Sequence, residues 1–396
     1  MKSLLQLLFI AFFSTIAFAQ KPFSLSQGET TEKEYFTTLS YTEIKEKIII
    51  DGVINGKTYK FLLDTGAPMV ISEKLSKELN LSKVRDMEII DQSSLKDTMG
   101  IVLLPNIKIG EVNFNNIPTL ISEKSLIDCF GIDGIIGSNV LKNSTVQFSS
   151  KNKTIIITDM PKRLNLKSKN ASKLFLDGQS NPYIWIEQQN GKTEAREQLL
   201  FDTGMDEFYD LSIHNYKKHF EKINLFNEIS KSSGAYSMGL HGNAQVSENH
   251  KFLLPQLTIN NVVFKNVITK TTYDKNSRIG ASLLKYGVVT VDYKNKKFYF
   301  EPFEQAKTFD IAEKQWPFNA ILNDDKLAIG IVWDTSLEKN MKPGDLILQF
   351  DDMNFEKMSL CDLVKSNLQG LQKDKATIIL RDNVSGEIKQ FEIERK

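Results

Sequence analysis

Two short stretches, each an apolar run that ends in Asp-Thr-Gly, restrict the fold more than any other feature of the sequence. Residues 61–67 carry Asp64 after Phe, Leu and Leu, and residues 199–205 carry Asp202 after Leu, Leu and Phe. An apolar run of this length predicts a buried strand, and a carboxylate at its end is costly to bury unless it is paired or used. Two carboxylates in matching contexts therefore indicate two similar halves that supply one shared site.

The order of features after each Asp-Thr-Gly supports an internal duplication. A glycine-containing apolar strand at Gly137 follows Asp64, and a counterpart at Gly280 follows Asp202 at a similar spacing. Hairpin patterns and a short predicted helix recur in the same order in both halves, with predicted helices at 73–80 and 213–223. Small differences in length are easily accommodated in surface loops.

A pair of carboxylates supplied in this way can hydrolyse an amide without a metal or a covalent intermediate. When two carboxylates lie about 3 Å apart they share one proton, and their pKa values separate. The ionised group activates a water molecule as general base, and the protonated group donates to the substrate carbonyl. The threonine hydroxyl can lock the two loops together, and the glycine allows a tight turn and offers its N–H to the carboxylate.

These motifs resemble those of the retropepsin/pepsin superfamily of aspartic proteases, over roughly residues 40–303. Residues 62–67 match its active-site motif, and residues 135–137 match its second motif, two apolar residues and a glycine. The resemblance implies two lobes around a peptide-binding cleft, with Asp64 and Asp202 as the catalytic pair. It implies supporting roles for Thr65, Gly66, Thr203, Gly204, Ile136, Gly137, Ile279 and Gly280. A hairpin flap is expected around residues 94–101 or 232–242.

The second half departs from the family pattern at two positions near Asp202. Met205 stands where the family prefers Ala or Ser, and a methionine there would crowd the substrate side. Arg278 takes the first apolar position of the second motif, and a cation there would lower a carboxylate pKa and disturb proton sharing. Three interpretations follow: an active endopeptidase, a peptide-binding protein with impaired catalysis, and a scaffold whose aspartates only cap turns.

The C-terminal region resembles a PDZ domain. Residues 342–348, with Pro-Gly-Asp before an apolar strand, match the segment that precedes a core strand of that family. The resemblance implies that a loop formed by Ala328, Ile329, Gly330 and Ile331 binds a peptide C-terminus, which would add to the sheet as a strand. The alternative is a domain packed permanently on the lobes, with its groove unused. A predicted amphipathic helix covers residues 359–371.

The remaining features define the domain plan. A basic start, an apolar stretch at 4–18 and Ala17-Phe18-Ala19 predict a signal peptide at 1–19, with a membrane anchor as the alternative. We expect an N-terminal extension at 20–36, barrel lobes at 37–165 and 166–305, and a small α+β PDZ-like domain at 311–396. The predicted fold class is therefore mostly β, with two duplicated retropepsin-like β-barrel lobes that form a cleft.

Composition and charge exclude several partners. The formal net charge is +1, which argues against nucleic acid, and no membrane span is expected after signal removal. We expect no metal and no cofactor, because the histidines and cysteines form no ligand pattern. Cys129 and Cys361 lie in different predicted domains, so they provide no disulfide framework, although a single bridge stays open. The expected partners are a peptide or protein substrate and a C-terminal peptide, and the expected location is periplasmic, surface or secreted.

Overall fold

The computed structural model describes residues 23–123, 126–366, 368 and 370–396. Strands make up 52% of the structure and helices 12%, which confirms the predicted mostly β class with barrel lobes. The predicted signal peptide at 1–19 lies outside the described residues. Within those residues, no helix has the length and apolar character needed to cross a membrane.

The first half forms a lobe around one nine-stranded sheet, in the order β1-β9-β6-β10-β5-β4-β8-β7 with β3 on β4. An Asn-Gly turn joins the strands Lys47–Ile54 and Lys57–Asp64, and Asn55 and Gly56 both have the positive φ that such hairpin turns require. The elements up to residue 158 are β1 (Glu29–Thr30), β2 (Phe36–Ser40), β3 (Thr42–Ile44), β4 (Lys47–Ile54), β5 (Lys57–Asp64), β6 (Val70–Ser72), α1 (Glu73–Glu78), β7 (Lys83–Ile90), β8 (Lys96–Ile109), β9 (Val112–Ser122), α2 (Leu126–Cys129), β10 (Gly134–Gly137), α3 (Ser138–Leu141), β11 (Thr145–Ser149) and β12 (Thr154–Thr158).

The second half repeats this lobe with its own nine-stranded sheet. Its last strand, β26, pairs with β22, so the lobe continues past the predicted boundary at residue 305. Short 3₁₀ helices connect strands in several places. The elements are β13 (Ala171–Lys173), β14 (Phe175–Leu176), β15 (Pro182–Asn190), β16 (Thr193–Asp202), β17 (Tyr209–Ser212), α4 (Ile213–Asn215), β18 (Asn227–Gly234), β19 (Met238–Gly239), β20 (Gly242–Asn243), β21 (Ser247–Ile259), β22 (Val262–Thr272), β23 (Arg278–Gly280), β24 (Gly287–Asp292), β25 (Lys297–Pro302) and β26 (Thr308–Asp310).

A six-stranded antiparallel sheet joins the two lobes, in the order β13-β25-β24-β11-β12-β2. The pairing of β11 with β24 brings one strand of each half side by side, with Val146 opposite Val291. Both valines are fully buried, as are Phe148 and Phe298 on the same sheet. This shared sheet and its apolar core fix the lobes in one relative orientation, which a site between them requires.

The C-terminal domain is a small sheet with one short helix and a separate core. Trp316, Phe318 and Phe350 pack edge to face within that core. The elements are β27 (Phe318–Asn323), β28 (Lys326–Val332), β29 (Leu346–Phe350), β30 (Met353–Asn354), α5 (Leu360–Lys365), β31 (Lys375–Arg381) and β32 (Ile388–Glu394).

Two predicted helices are shorter than their apolar patterns indicate. The helix expected at 359–371 ends at Lys365, because Ser366 is extended and its hydroxyl donates to the Leu363 carbonyl. The helix expected at 213–223 consists of α4 followed by a π-helical turn, Tyr216–Phe220. In both places the buried apolar residues remain in the core although the helical repeat does not continue.

Two connections that the sequence left open are made in the structure. Cys129 of α2 forms a disulfide with Cys361 of α5, which ties the first lobe to the C-terminal domain. The described part of the N-terminal extension packs on the first lobe, where Leu25 is buried and accepts from the Asn139 side chain. This segment also adds strand β1 to the sheet, so it is an integral part of the lobe.

Candidate active site

The two aspartates occupy equivalent positions in the two lobes. Asp64 is the last residue of β5 and pairs in parallel with Gly137 of β10. Asp202 is the last residue of β16 and pairs in the same way with Gly280 of β23. Ile136 and Ile279, one position before each glycine, are fully buried and anchor these strands. The duplication predicted from the sequence therefore extends to the register of the strands that carry the acids.

Crossed hydrogen bonds between the threonines lock the two loops together. The Thr65 hydroxyl donates to the Phe201 carbonyl at 2.6 Å, and the Thr203 hydroxyl donates to the Leu63 carbonyl at 2.8 Å. Each hydroxyl also accepts from the backbone N–H of the other threonine, at 3.0 and 3.1 Å. Both threonines are fully buried, so all four bonds form out of contact with water and position the loops firmly.

The same loops bring the two carboxyl groups face to face. The Gly66 N–H donates to Asp64 at 2.8 Å, and the Gly204 N–H donates to Asp202 at 2.9 Å. A side chain at Gly66 would begin 2.6 Å from the Asp202 carboxyl carbon, and one at Gly204 would collide with the Asp64 carboxyl. Only glycine fits at these two positions, because each backbone passes directly against the acid of the opposite lobe.

The surroundings keep a proton on Asp64. Burial, followed by the negative charge of Asp202, raises the pKa of the Asp64 carboxyl from 3.8 to about 8. The Gly66 N–H and the nearby Lys47 act in the opposite direction but do not offset these effects. Because the charge of Asp202 opposes the loss of the proton from Asp64, the pair can hold one proton over a wide range of pH.

Arg278 lies beside the pair, as its sequence position predicted. One guanidinium nitrogen is 3.5 Å from Asp202 Oδ2, and the other is 2.8 Å from Asp210 Oδ2. Although burial opposes its charge, the carboxylates of Asp210, Asp202 and Asp274 raise the pKa of Arg278, so it stays cationic. Arg278 therefore places a cation directly beside the Asp202 carboxyl, while the pKa of Asp64 is raised, so the two acids have different surroundings.

Met205 does not crowd the substrate side, contrary to the expectation from its position. Its methyl group packs against Gly280, beneath the loop that carries Asp202, and only 7% of the residue is exposed. Its carbonyl accepts from the Ala281 N–H at 2.8 Å. The methionine therefore supports the loop from the core side.

A cleft of about 730 Å³ lies in front of the two carboxyls. Both lobes line it, and Val364 of the C-terminal domain contributes to its wall. The Lys47 amine reaches from the first lobe to the Gly204 carbonyl and to Asp206. A cleft of this volume accommodates several side chains of an extended peptide, within the usual range for ligand sites.

Hairpins from both lobes line the cleft and contact each other. The second-lobe contacts fall within the segment predicted at 232–242, whereas the first-lobe contacts come from residues just before the segment predicted at 94–101. The turn between β7 and β8 meets the segment around β19 and β20. Gln92 donates to the Met238 carbonyl at 2.8 Å, and Asp91 accepts from the His241 N–H at 2.7 Å. Arg278 donates to the Gln92 side chain at 2.5 Å, which connects the flap directly to the cation beside the dyad.

Comparison with known proteins agrees with this geometry for the first lobe, where residues 50–143 match the family model “gag-polyprotein putative aspartyl protease”. A retropepsin-like aspartic protease from Rickettsia conorii is 16% identical, covering 33% of this chain and 93% of that one, with a TM-score of 0.24. Basic 7S globulin from soybean is 10% identical, covering 67% of this chain and 95% of that one (TM-score 0.40). Conglutin gamma from lupine seeds is 11% identical, covering 71% and 100% (TM-score 0.41). No curated protein matches the chain.

The β-barrel sheets of the two lobes are consistent with retropepsin-like lobes, and the family match covers part of the first lobe. Sequence reasoning located the dyad and its supporting glycines and threonines in this fold. It missed Lys47 and Gln92, because neither residue stands in a motif. Asp210, the partner of Arg278, was also missed, although a buried arginine requires a carboxylate and such a partner could have been sought.

The predicted peptide-binding loop of the C-terminal domain is a buried strand instead. Ala328, Ile329, Gly330 and Ile331 lie within β28. The Ile329 N–H donates to the Asp345 carbonyl at 2.8 Å, and the Gly330 carbonyl accepts from the Ala235 N–H of the second lobe at 2.9 Å. The expectation of an open loop is wrong because the second lobe covers this edge.

Proposed function

We propose that the protein is an aspartic endopeptidase in which Asp64 and Asp202 hydrolyse peptide bonds with an activated water molecule. The observation that carries this proposal is the reciprocal fit of the two loops, which places two carboxyls together at the floor of a cleft. Asp202, next to Arg278, acts as general base on the water. Asp64 donates its proton to the substrate carbonyl oxygen as the water adds to the carbonyl carbon. When the tetrahedral intermediate collapses, Asp202 passes the proton taken from water to the leaving amine and Asp64 takes back the hydroxyl proton, which restores both acids.

The second candidate is a peptide-binding protein that retains the fold but has lost catalysis. Arg278 favours this alternative, because its cation neutralises part of the charge that Asp202 needs as a base. The other argument for lost catalysis is crowding of the substrate side by Met205, and the burial of this residue removes that argument. Arg278 also pairs with Asp210 at 2.8 Å, so its charge is divided between carboxylates, and the endopeptidase remains the better supported function.

We further propose that the chain is exported and that the C-terminal domain regulates access to the cleft. The apolar segment at 4–18 and the small residues around Ala19 support export. The position of Val364 in the cleft wall supports a role in access, as does the disulfide between Cys129 and Cys361. Binding of peptide tails by Gly330 and its neighbours would require the second-lobe segment at Ala235 to move away.

One experiment separates the two candidate functions. The mature protein is incubated with a mixture of unfolded polypeptides from acidic to alkaline pH, and new termini are mapped by mass spectrometry. The endopeptidase produces internal cuts that an Asp64→Asn variant does not produce. Peptides that are retained by the protein but never cut would support the binding protein and contradict the proposal.

A further inference from the structure

The pseudo-symmetry of the lobes allows the two halves of the cleft to be compared position by position. In the first lobe, Ile135 pairs with Leu62 and Val70. In the second lobe, Arg278 stands at the position of Ile135 and pairs with Leu200 and Asp210. Asp210 therefore occupies the position of Val70, and an apolar pair in one lobe is replaced by an ion pair in the other.

The replacement continues outward from this pair. Val70 pairs with Leu120, whereas Asp210 pairs with Lys270, which forms an ion pair with Glu207 at 2.7 Å. The first-lobe wall of the cleft has an apolar cluster, formed by Leu62, Val70, Leu120, Phe130, Ile132 and Ile135. Apart from Asp64, its charged lining residues lie at Lys45 and Lys47 and on the hairpin of β7 and β8. The second-lobe half has Leu200 but is otherwise mainly polar, so two related subsites have opposite character.

The polar half is rich in hydrogen-bond acceptors. Asp177, Asn181 and Asp274 all line it. Asn181 is only 7% exposed, and its Oδ1 has no hydrogen-bond partner among the residues that the structure describes. A buried carbonyl oxygen without a partner costs free energy, and a donor from a bound ligand recovers it. Carboxylates of the same lobe already pair with Arg278 and Lys270, so these two cations are neutralised and do not repel a positively charged ligand.

We propose, on the basis of the endopeptidase function above, that the cleft selects peptides with an apolar side chain on the first-lobe side and a hydrogen-bond-donating side chain on the second-lobe side. The scissile bond lies between these two residues, over Asp64 and Asp202. A lysine or arginine satisfies the acceptors of the second-lobe half, and its charge is balanced by Asp177, because Asp274 already lies 3.8 Å from Arg278. A leucine in that half would leave the Asn181 oxygen without a donor.

The test measures binding by calorimetry, with peptides in which a hydroxyethylene group replaces the scissile amide. Four matched peptides carry Leu–Leu, Leu–Lys, Lys–Leu or Leu–Glu at the central pair. One of the two leucine–lysine orders is expected to bind about tenfold tighter than Leu–Leu, as expected when an unpaired buried polar group gains a partner. Equal or tighter binding of Leu–Leu, or tightest binding of Leu–Glu, would overturn the proposal.

Two variants assign the preference to the second lobe. Asn181→Leu should remove most of the preference for lysine while leaving the affinity for Leu–Leu at least as high. The matched control Asn106→Leu makes the same change on β8, where the side chain bonds to Asn115 away from the cleft, and should keep the preference. A lysine preference that survives in Asn181→Leu would refute the assignment.

Hydrolysis of the corresponding natural peptides is measured alongside. A clear binding preference without any hydrolysis would contradict the endopeptidase function and leave the selectivity of the cleft established. Hydrolysis with no preference for lysine would support the endopeptidase function and contradict the proposed selectivity of the cleft.

Discussion

The Asp64 carboxyl lies where both burial and the charge of Asp202 oppose its ionisation. Its pKa in the folded protein is about 8, whereas the usual value is 3.8. Between these values the folded protein holds a proton that the unfolded chain has lost. The stability that this group contributes is therefore full at acidic pH and is lost as pH rises toward about 8.

An Asp64→Asn variant removes this dependence, because the amide does not titrate. We expect its free energy of unfolding to exceed that of the parent at alkaline pH by on the order of 6 kcal/mol, and to approach it at acidic pH. Urea unfolding at a series of pH values measures the difference. The exposed Asp51→Asn change is the control, and a variant that is no more stable than the parent at alkaline pH would contradict the account.

The charge of Arg278 makes a second prediction at the residue scale. Replacing it with methionine removes the cation that opposes the rise in the pKa of buried Asp210, which is about 6 in the parent, so the variant should lose more stability than the parent as pH rises. Arg278→Lys keeps a charge and should lose less. Urea unfolding at a series of pH values gives the result, and a methionine variant whose stability depends on pH as the parent's does would exclude this role.

At the scale of elements, the loops after β5 and β16 depend on each other through their threonines. Thr65→Val removes the hydroxyl that donates to the Phe201 carbonyl and leaves the Thr203 N–H without an acceptor. We expect a loss of about 2–4 kcal/mol in stability and a fall in kcat, because buried groups lose their partners.

Thr119→Val provides the matched control for the threonine variant. This buried threonine donates only to the nearby Ile117 carbonyl within the first lobe. Unfolding by denaturant and the rate of peptide cleavage are measured for both variants. If Thr119→Val lowers kcat as much as Thr65→Val does, the crossed bonds have no special part in aligning the dyad.

The flap hairpins give a further prediction. Gln92 joins the Met238 carbonyl to the Arg278 guanidinium, so Gln92→Ala removes two hydrogen bonds that hold the flaps closed. We expect KM for peptides to rise about threefold to tenfold, which corresponds to roughly one hydrogen bond. Steady-state kinetics measure it, with Gln147→Ala on the sheet between the lobes as control. An unchanged KM would show that these contacts do not hold the substrate.

Local patterns in the sequence predicted the elements around the site well. The strands that end in Asp64 and Asp202, and their glycine partners Gly137 and Gly280, follow from short apolar runs and repeat order. The ends of helices such as α5 did not follow, because Ser366 ends the helix through a bond that the apolar periodicity does not encode. Local patterns also could not predict contacts between segments that are far apart in the sequence.

On the scale of the whole molecule, one disulfide joins segments that are 232 residues apart. Cys129 and Cys361 could not be paired from the sequence, because nothing local shows that α2 and α5 meet. The C-terminal domain also contacts the second lobe, where the Ser230 hydroxyl donates to the Trp333 carbonyl at 2.5 Å. The domain is therefore attached to both lobes.

Removing the disulfide should weaken this attachment. We expect Cys129→Ser to lower the free energy of unfolding by about 2–4 kcal/mol, because the unfolded chain regains the freedom of a long closed loop. Thermal unfolding with and without a reductant provides the measurement. The reductant should lower the midpoint of the parent but not of the variant, and an equal midpoint for parent and variant without reductant would contradict the expectation.

The most direct test of the central claim is kcat/KM for peptide hydrolysis by the parent, Asp64→Asn, Asp202→Asn and Asp206→Asn. Asp206 is a suitable control, since it lines the same cleft and pairs with Lys47 but is not part of the dyad. The account predicts a loss of at least about a hundredfold in each dyad variant, typical of a missing general acid or base, and only a small change in Asp206→Asn. Hydrolysis at the parental rate by both dyad variants would contradict it.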